Sequence, residues 1–316
     1  HPADLDSFIA DDRPPRVHDA ELIVLRAADT KGRTIATLVN WANHPETLGS
    51  KNTLLTADYP AALYTRLEER LGGVVVFLNG AVGGMQSPLN ATVIDPATSQ
   101  PAEKNSFRKA ELIGRRVAEV AAEALAAAKP VAVDRIETRE AEVFVPLTNP
   151  RYRAAGAAGL FRGRKALYTN GREDTSTAEI ELPGMGKVKA SAGSDLRTVV
   201  GLIRLSRGKS PVLDVALVPG ELYPELSVGG IERYAGADFP DAPLEPAIKT
   251  AMRAPFRMLV GLANDEIGYI IPRAEWDEQA PWLQNAPRRW YGEVNSVGPQ
   301  AAPVVVTRLV ELIQKP

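Results

Sequence analysis

The sequence contains no cysteine. That absence excludes disulfides, thiolate metal sites and a cysteine nucleophile. It fits a cytoplasmic or a periplasmic home equally well. Histidine is scarce too, with three in 316 residues, at positions 1, 18 and 44. Any metal site built here must therefore draw on carboxylates or other oxygen donors as well. No apolar run approaches the roughly 18 residues of a membrane span. Neither sign of charge dominates, the net charge being −2, and no basic stripe stands out. Nucleic acid is therefore not an expected partner. No internal repeat occurs. The chain opens on His1-Pro2-Ala3 with neither an initiator Met nor a signal-like segment, so an upstream segment is expected to be missing.

Hydrophobic residues make up 45% of the chain, enough for a sizeable core. Glu21–Leu25 and Thr34–Trp41 read as strands joined by the turn signal Asp29-Thr30-Lys31-Gly32. Asp58 reads as a helix cap with Pro60 just inside, and Gly72-Gly73 ends that helix. Val74–Leu78 is wholly apolar and reads as a buried strand. An Ala-rich helix is expected over Ala102–Ala128. Strand character returns at Arg135–Val145, Val199–Leu205, Val212–Val218 and Arg257–Ala263, and an amphipathic helix closes the chain at Val304–Gln314. Residues 147–195 lack periodicity and read as an excursion. The expected class is α/β: a mixed β-sheet core covered by helices, one large domain over 1–316.

Chemistry collects in four places, each at the end of an apolar strand. Val39–Glu46 delivers His44 to a strand end, where ligands bind in open sheets and where a neutral imidazole suits zinc. A hydrogen-bonded structural His is the bland alternative. Asn79–Pro88 is Gly-rich, so its backbone can approach a ligand, with Asn79, Gly83, Gly84, Gln86 and Ser87 as candidate contacts. It has neither the Lys of a phosphate loop nor the pattern of a nucleophile elbow. Val218-Pro219-Gly220-Glu221 presents a carboxylate that can ligate metal, act as a base, or simply sit in a helix's first turn. Gly261–Pro272 carries acids, an amide and Tyr269, whose bland reading is a rim or core aromatic. Taken together, these segments are expected along one edge of a sheet.

In this order, the four segments resemble the N-terminal catalytic domain of the neutral/alkaline, non-lysosomal ceramidase family. The resemblance runs from about Arg13 to Trp282 and is patchy over 147–195. It implies His44, Glu221 and Tyr269 as zinc ligands. Asp58, in Thr56-Ala57-Asp58-Tyr59, matches an acid of the family. Ser87, in Ser87-Pro88, matches a Ser at the floor of the substrate pocket, and Glu275-Trp276 stands where the family has Glu-Tyr. Asp58, Ser87 and Tyr269 are thus the implied catalytic set, and Asn79, Gly83, Gly84, Gln86 and Trp276 the implied substrate contacts.

The resemblance has two gaps. The family's further zinc His lies in a Thr-His-Thr-His-Ser type motif upstream of the Arg-Pro-Pro region, and no such motif is present. His1 starts too late and His18 lies where no ligand is implied, so that ligand is expected upstream. Met85 also replaces the family's acid before Ser-Pro, which points to an altered pocket floor. The family's separate C-terminal immunoglobulin-like domain has no counterpart in these 316 residues. The implied activity is zinc-dependent hydrolysis of an N-acyl bond of ceramide or a related lipid-like small molecule, with Zn²⁺ as cofactor. Rival readings are a zinc amidase or esterase acting on another acyl substrate, and a non-catalytic lipid- or glycan-binding relative. Trp276, Trp282, Trp290 and Tyr291 offer a lipid-facing rim for peripheral membrane contact, or ordinary packing of a Pro-rich loop. Family habit implies a periplasmic or secreted protein. Oligomeric state is not legible.

Overall fold

The computed structural model describes residue 8 and residues 15–84, 86–161, 166–182 and 186–315. The expectations for the lead-in through Pro14, for His1 and for Met85 lie outside the described residues. The chain is a mixed α/β fold, as its alternation of strands and helices implies. Its residues pack into two compact units, His1–Val133 with Met258–Gly261, and Asp134–Arg257 with Leu262–Pro316. No helix among the described residues is long and apolar enough to cross a membrane.

The first unit holds a three-stranded sheet. Strand β1 (Ile23–Ala28) is antiparallel to β2 (Thr34–Trp41), and β2 is parallel to β3 (Val74–Asn79). Between β2 and β3 runs helix α1 (Tyr59–Leu71), whose bounds follow its punctuation. Asp58 caps it by accepting the Tyr59 N–H at 2.7 Å, and Pro60 loses nothing in a first turn that has no intrahelical partners. Tyr59, Leu63 and Leu67 recur every four residues and are fully buried, worth roughly 1.5–3 kcal/mol each in burial. They meet Val39 and Trp41 of β2 and Ile113 and Val117 of a second helix.

A two-residue ladder, β4 (Ile94–Asp95) with β5 (Gln100–Pro101), precedes that helix, α2 (Phe107–Ala127). The helix starts five residues later than composition suggests. Ser106 takes the cap by accepting the Lys109 N–H, and Asn105 is left-handed at φ 60°. A hydroxyl that competes for the backbone overrides the helix propensity of Ala102–Lys104. β3 departs from its expected burial. It ends the sheet, and Val74 and Val76 are exposed while Val75 is buried. It is therefore a strand covered on one face only.

The second unit is built on long antiparallel pairs. β6 (Arg135–Pro146) pairs along β11 (Asp195–Arg207), whose other neighbour is β12 (Ser210–Leu217). The excursion between β6 and β11 carries regular structure in its described residues. It forms α3 (Pro150–Ala157) and the hairpins β7 (Leu167–Thr169) with β8 (Arg172–Asp174) and β9 (Thr177–Leu182) with β10 (Gly186–Ser191). Then come β13 (Glu221–Leu222), α4 (Pro224–Val228), α5 (Ile248–Ala251), β14 (Phe256–Val260), β15 (Tyr269–Ile270), α6 (Tyr291–Val294) and α7 (Ala301–Gln314).

One cross-strand pair is unusual for a core. Arg204 of β11 faces Asp214 of β12 in register, donating from Nε at 2.6 Å and from a terminal nitrogen at 2.9 Å. The N–H groups of Arg253 and Ala254 also donate to Asp214, and Arg204 reaches the Ile313 carbonyl of α7. A buried pair keeps its charges only when its remaining hydrogen-bonding capacity is met in this way.

Candidate functional site

In the first unit, β2 and β3 run parallel, so their C-terminal loops emerge side by side. Trp41 lies opposite Asn79 in register. Beyond them the Gly80 N–H donates to the Trp41 carbonyl at 3.0 Å and the His44 N–H to the Gln86 carbonyl at 2.8 Å. A Cβ on Gly80 would press on Ala42 at 3.1–3.2 Å, so glycine eases the close approach of the two loops. These bonds bring together His44, Asn79, Gly83, Gly84, Gln86 and Ser87 as one loop pair.

The support is specific. Tyr59, packed edge-on against Trp41, donates its hydroxyl to the Asn43 carbonyl at 2.7 Å. The buried ammonium of Lys109 donates to the carbonyls of Pro88 and Leu89 at 2.8 and 3.1 Å and so anchors the end of the Gly-rich loop. Burial and the charge of Lys104 lower its pKa, while Asp58 opposes them. Ser87, 3% exposed, accepts the Leu89 N–H at 3.0 Å. Asp58 is held at φ 57°, and its two oxygens accept the N–H groups of Tyr59 and Leu48. In this structure its carboxylate therefore fastens the loop after His44 to α1.

Several buried atoms of this loop pair have no hydrogen-bond partner: Asn43 Oδ1, Thr47 Oγ1, Asn79 Oδ1, Gln86 Oε1 and Trp41 Nε1. Buried polar atoms are nearly always paired with protein or ordered water. Open acceptors beside an open indole donor are what a polar ligand would satisfy.

In the second unit, Glu221 and Tyr269, 48 positions apart, are direct partners in the parallel ladder of β13 and β15. Backbone bonds zip the two turns together: Ile267 N–H to Pro219 O, Glu221 N–H to Gly268 O, and Tyr223 N–H to Ile270 O, at 2.9–3.1 Å. Gly268 has φ 87°, and a Cβ there would collide with the Asn295 carbonyl and the Tyr152 hydroxyl. The Gly-Tyr step is thus a steric requirement of the turn.

The Tyr269 phenol is raised well above its usual pKa by burial first, then by the negative charge of Glu221 and the hydrogen bond between the two side chains. Tyr223 and Tyr291 pack edge-on against its ring at 6.1 and 5.8 Å. Tyr152 donates its hydroxyl to the Asn295 carbonyl, which also accepts the Tyr269 N–H. Burial and the charges of Glu266 and Glu221 push the Tyr152 phenol up to about 12.

The four segments do not share one sheet edge, which corrects the expectation from sequence. His44 and the Gly-rich loop follow the three-stranded sheet, whereas Glu221 and Tyr269 form their own two-stranded ladder. Trp276 is 2% exposed and Trp290 donates its indole N–H to Asp277 at 2.7 Å. Trp276 is therefore packed inside and takes no part in a surface rim. Lys109, Tyr152 and Tyr223 went unnoticed in the sequence, and Tyr291, read there as part of an aromatic rim, packs against Tyr269. Tyr223 alone carried a signal, since residues two apart in extended chain share a face with Glu221.

The donor types of His44, Glu221 and Tyr269 fit zinc: an imidazole, a carboxylate and a phenol. Glu221 and Tyr269 are already in contact. No group of three or more His, Asp or Glu gathers to hold a metal among the described residues.

No protein-family model matches this chain, and no curated protein matches it. Among solved structures it is similar to a neutral ceramidase from Pseudomonas aeruginosa, at 16% identity and TM-score 0.60, over 96% of this chain and 48% of that one. A ceramidase complexed with C2 is matched at the same identity and TM-score, over 96% and 49%. The chain spans about half the length of these relatives. At this identity the likeness is one of fold: the chain shares, at a distance, the fold of bacterial neutral ceramidase.

Proposed function

We propose that this chain carries the hydrolytic site of a zinc-dependent N-acyl hydrolase acting on ceramide or a related lipid. The observation that carries the reading is the Glu221–Tyr269 pair. A carboxylate and a phenol are set side by side in a ladder only two residues long, with the phenol bonded to the acid. Likeness of fold to ceramidases supports it. Zinc held by His44, Glu221 and Tyr269 would supply a Lewis acid that polarises the acyl carbonyl and makes water more acidic.

The chain's own groups do the rest. Ser87 accepts a backbone N–H, and its hydroxyl proton remains to donate to an acyl oxygen. Asn79 Oδ1 and Gln86 Oε1, open and buried, accept N–H or O–H groups of a polar head. Asp58 positions the His44 loop through Leu48. Met85, in place of the family's acid, favours a second reading in which the scissile acyl compound is not ceramide.

Metal analysis and turnover of N-acyl substrates test this together. About one zinc per chain is expected, lost on His44→Ala, with hydrolysis lost in parallel. A full-length preparation that binds no zinc and cleaves no acyl bond overturns the reading.

A further inference from the structure

Described residues of the excursion over 147–195 line much of a partly open cavity of about 670 Å³. Its wall draws on several segments of the second unit. Leu147 follows β6, Phe161 follows α3, Ile180 sits on β9, Leu196 on β11, and Ile267 and Val297 also line it. Gly156, Ala157 and Ala190 leave it wide. The polar groups at its wall are largely committed. The Arg153 guanidinium donates to the Ser191 and Gly193 carbonyls, the Tyr152 hydroxyl to Asn295, and Glu266 accepts the Gly268 N–H. A sugar or a peptide placed here would lose its water and find few new partners. A hydrocarbon loses nothing.

The cavity's position is as informative as its lining. Glu266 and Ile267 belong to the same turn as Tyr269, and Tyr152 and Tyr269 share the Asn295 carbonyl. The apolar space therefore backs directly onto the turn that carries the phenol. Pockets of this size hold small organic ligands. A methylene fills roughly the volume of a water molecule, about 30 Å³, so the space takes one chain of up to about twenty carbons and has no room for a second of that length.

We infer that this cavity receives a single hydrocarbon chain of the substrate and so sets its chain-length preference. The inference rests on the hydrolase reading for calling the occupant a substrate. It adds that one chain is sufficient, so N-acyl compounds with a small, chain-free amine part are accepted.

The test uses the full chain without added metal, titrated with straight-chain fatty acids of six to eighteen carbons. Affinity should rise about fourfold per methylene, the equivalent of about 0.8 kcal/mol, and then level off. Gly156→Trp should move the plateau to shorter chains. Its Cβ meets only Phe161, at 3.9 Å, so the backbone tolerates the change. Ile180→Ala should move the plateau to longer chains, which protects the test should the Trp variant fold poorly. The same shifts are expected in the chain-length profile for hydrolysis of N-acylethanolamines. An unmoved plateau in both variants overturns the inference, as does absence of chain binding by the wild-type protein. Chain binding with the expected shifts but no hydrolysis removes the hydrolase reading and leaves the cavity a hydrocarbon site. Hydrolysis with a profile that neither variant alters removes the cavity assignment alone.

Discussion

The two units hold their chemistry in place by different means. In the first, the loops beyond β2 and β3 are clamped by side chains: Asp58 to Leu48, Tyr59 to Asn43, and Lys109 to Pro88 and Leu89. In the second, two turns clamp each other through their backbones, and Glu221 and Tyr269 follow from the register. A side-chain clamp can be weakened by one substitution and leave the fold standing. A backbone zipper resists side-chain changes but fails at any position where the chain itself must be glycine. The first unit should therefore be tunable, and the second nearly all-or-none.

The sharpest way to break the second unit lies away from its site. Arg204→Met or Asp214→Asn strands a buried charge or its partners, and should cost roughly 3–5 kcal/mol in denaturant unfolding. The pair also predicts an acid dependence. Burial alone would raise the Asp214 pKa, but the hydrogen bonds from Arg204, Arg253 and Ala254 and the charge of Arg204 outweigh it, and the net shift is downward from 3.8. Its stabilisation is complete above that pH and is lost as pH falls through the lowered folded value. The stability gap between wild type and Asp214→Asn should thus narrow below pH 3.8; a constant gap contradicts the assignment.

Next in size, Glu221→Gln and Tyr269→Phe should each lower N-acyl hydrolysis by more than about 100-fold, above the loss usual for an outer-shell partner, with melting temperature nearly unchanged. Gly268→Ala should cost about 1–3 kcal/mol from strain at positive φ and lower activity as well, because the collision sits beside Tyr269. Last comes the side-chain clamp. Asp58→Ala should cost about 1–2 kcal/mol as a lost cap and reduce kcat without abolishing it. Complete loss of activity in a folded Asp58→Ala protein would instead give that acid a chemical role.

The same contrast explains what the sequence discloses. Helix α1 could be read to the residue because Asp58, Pro60 and Gly72 act locally. β2 and the turn at Gly32 were legible for the same reason. The start of α2 was obscured by Ser106, a short-range competitor hidden among good helix formers. β13 and β15 are too short for any periodicity, and Glu221 finds Tyr269 only through tertiary contact. The excursion defeats pattern reading because its hairpins are half exposed and rich in Gly, Arg and Ala. Its cavity exists only after distant segments such as Leu147 and Val297 come together. The family resemblance marked Glu221 and Tyr269 without foreseeing their ladder, and said nothing of Tyr152.

The short return Met258–Gly261 has a consequence for synthesis. It belongs to the first unit, where the Leu259 carbonyl accepts from Asn40 Nδ2 and the Gly261 N–H donates to the Asn79 carbonyl. Those bonds join β2 and β3 to residues some 180 to 220 positions later in the chain. A ribosome making this protein releases nearly all of the first unit early, yet its strand ends must wait for most of the second unit before their last partners emerge. Contacts so distant are slow to close, and exposed apolar edges such as Val74 and Val76 stay available in the interval. The nascent chain should therefore be most sensitive to chaperone supply before residue 261 clears the exit tunnel.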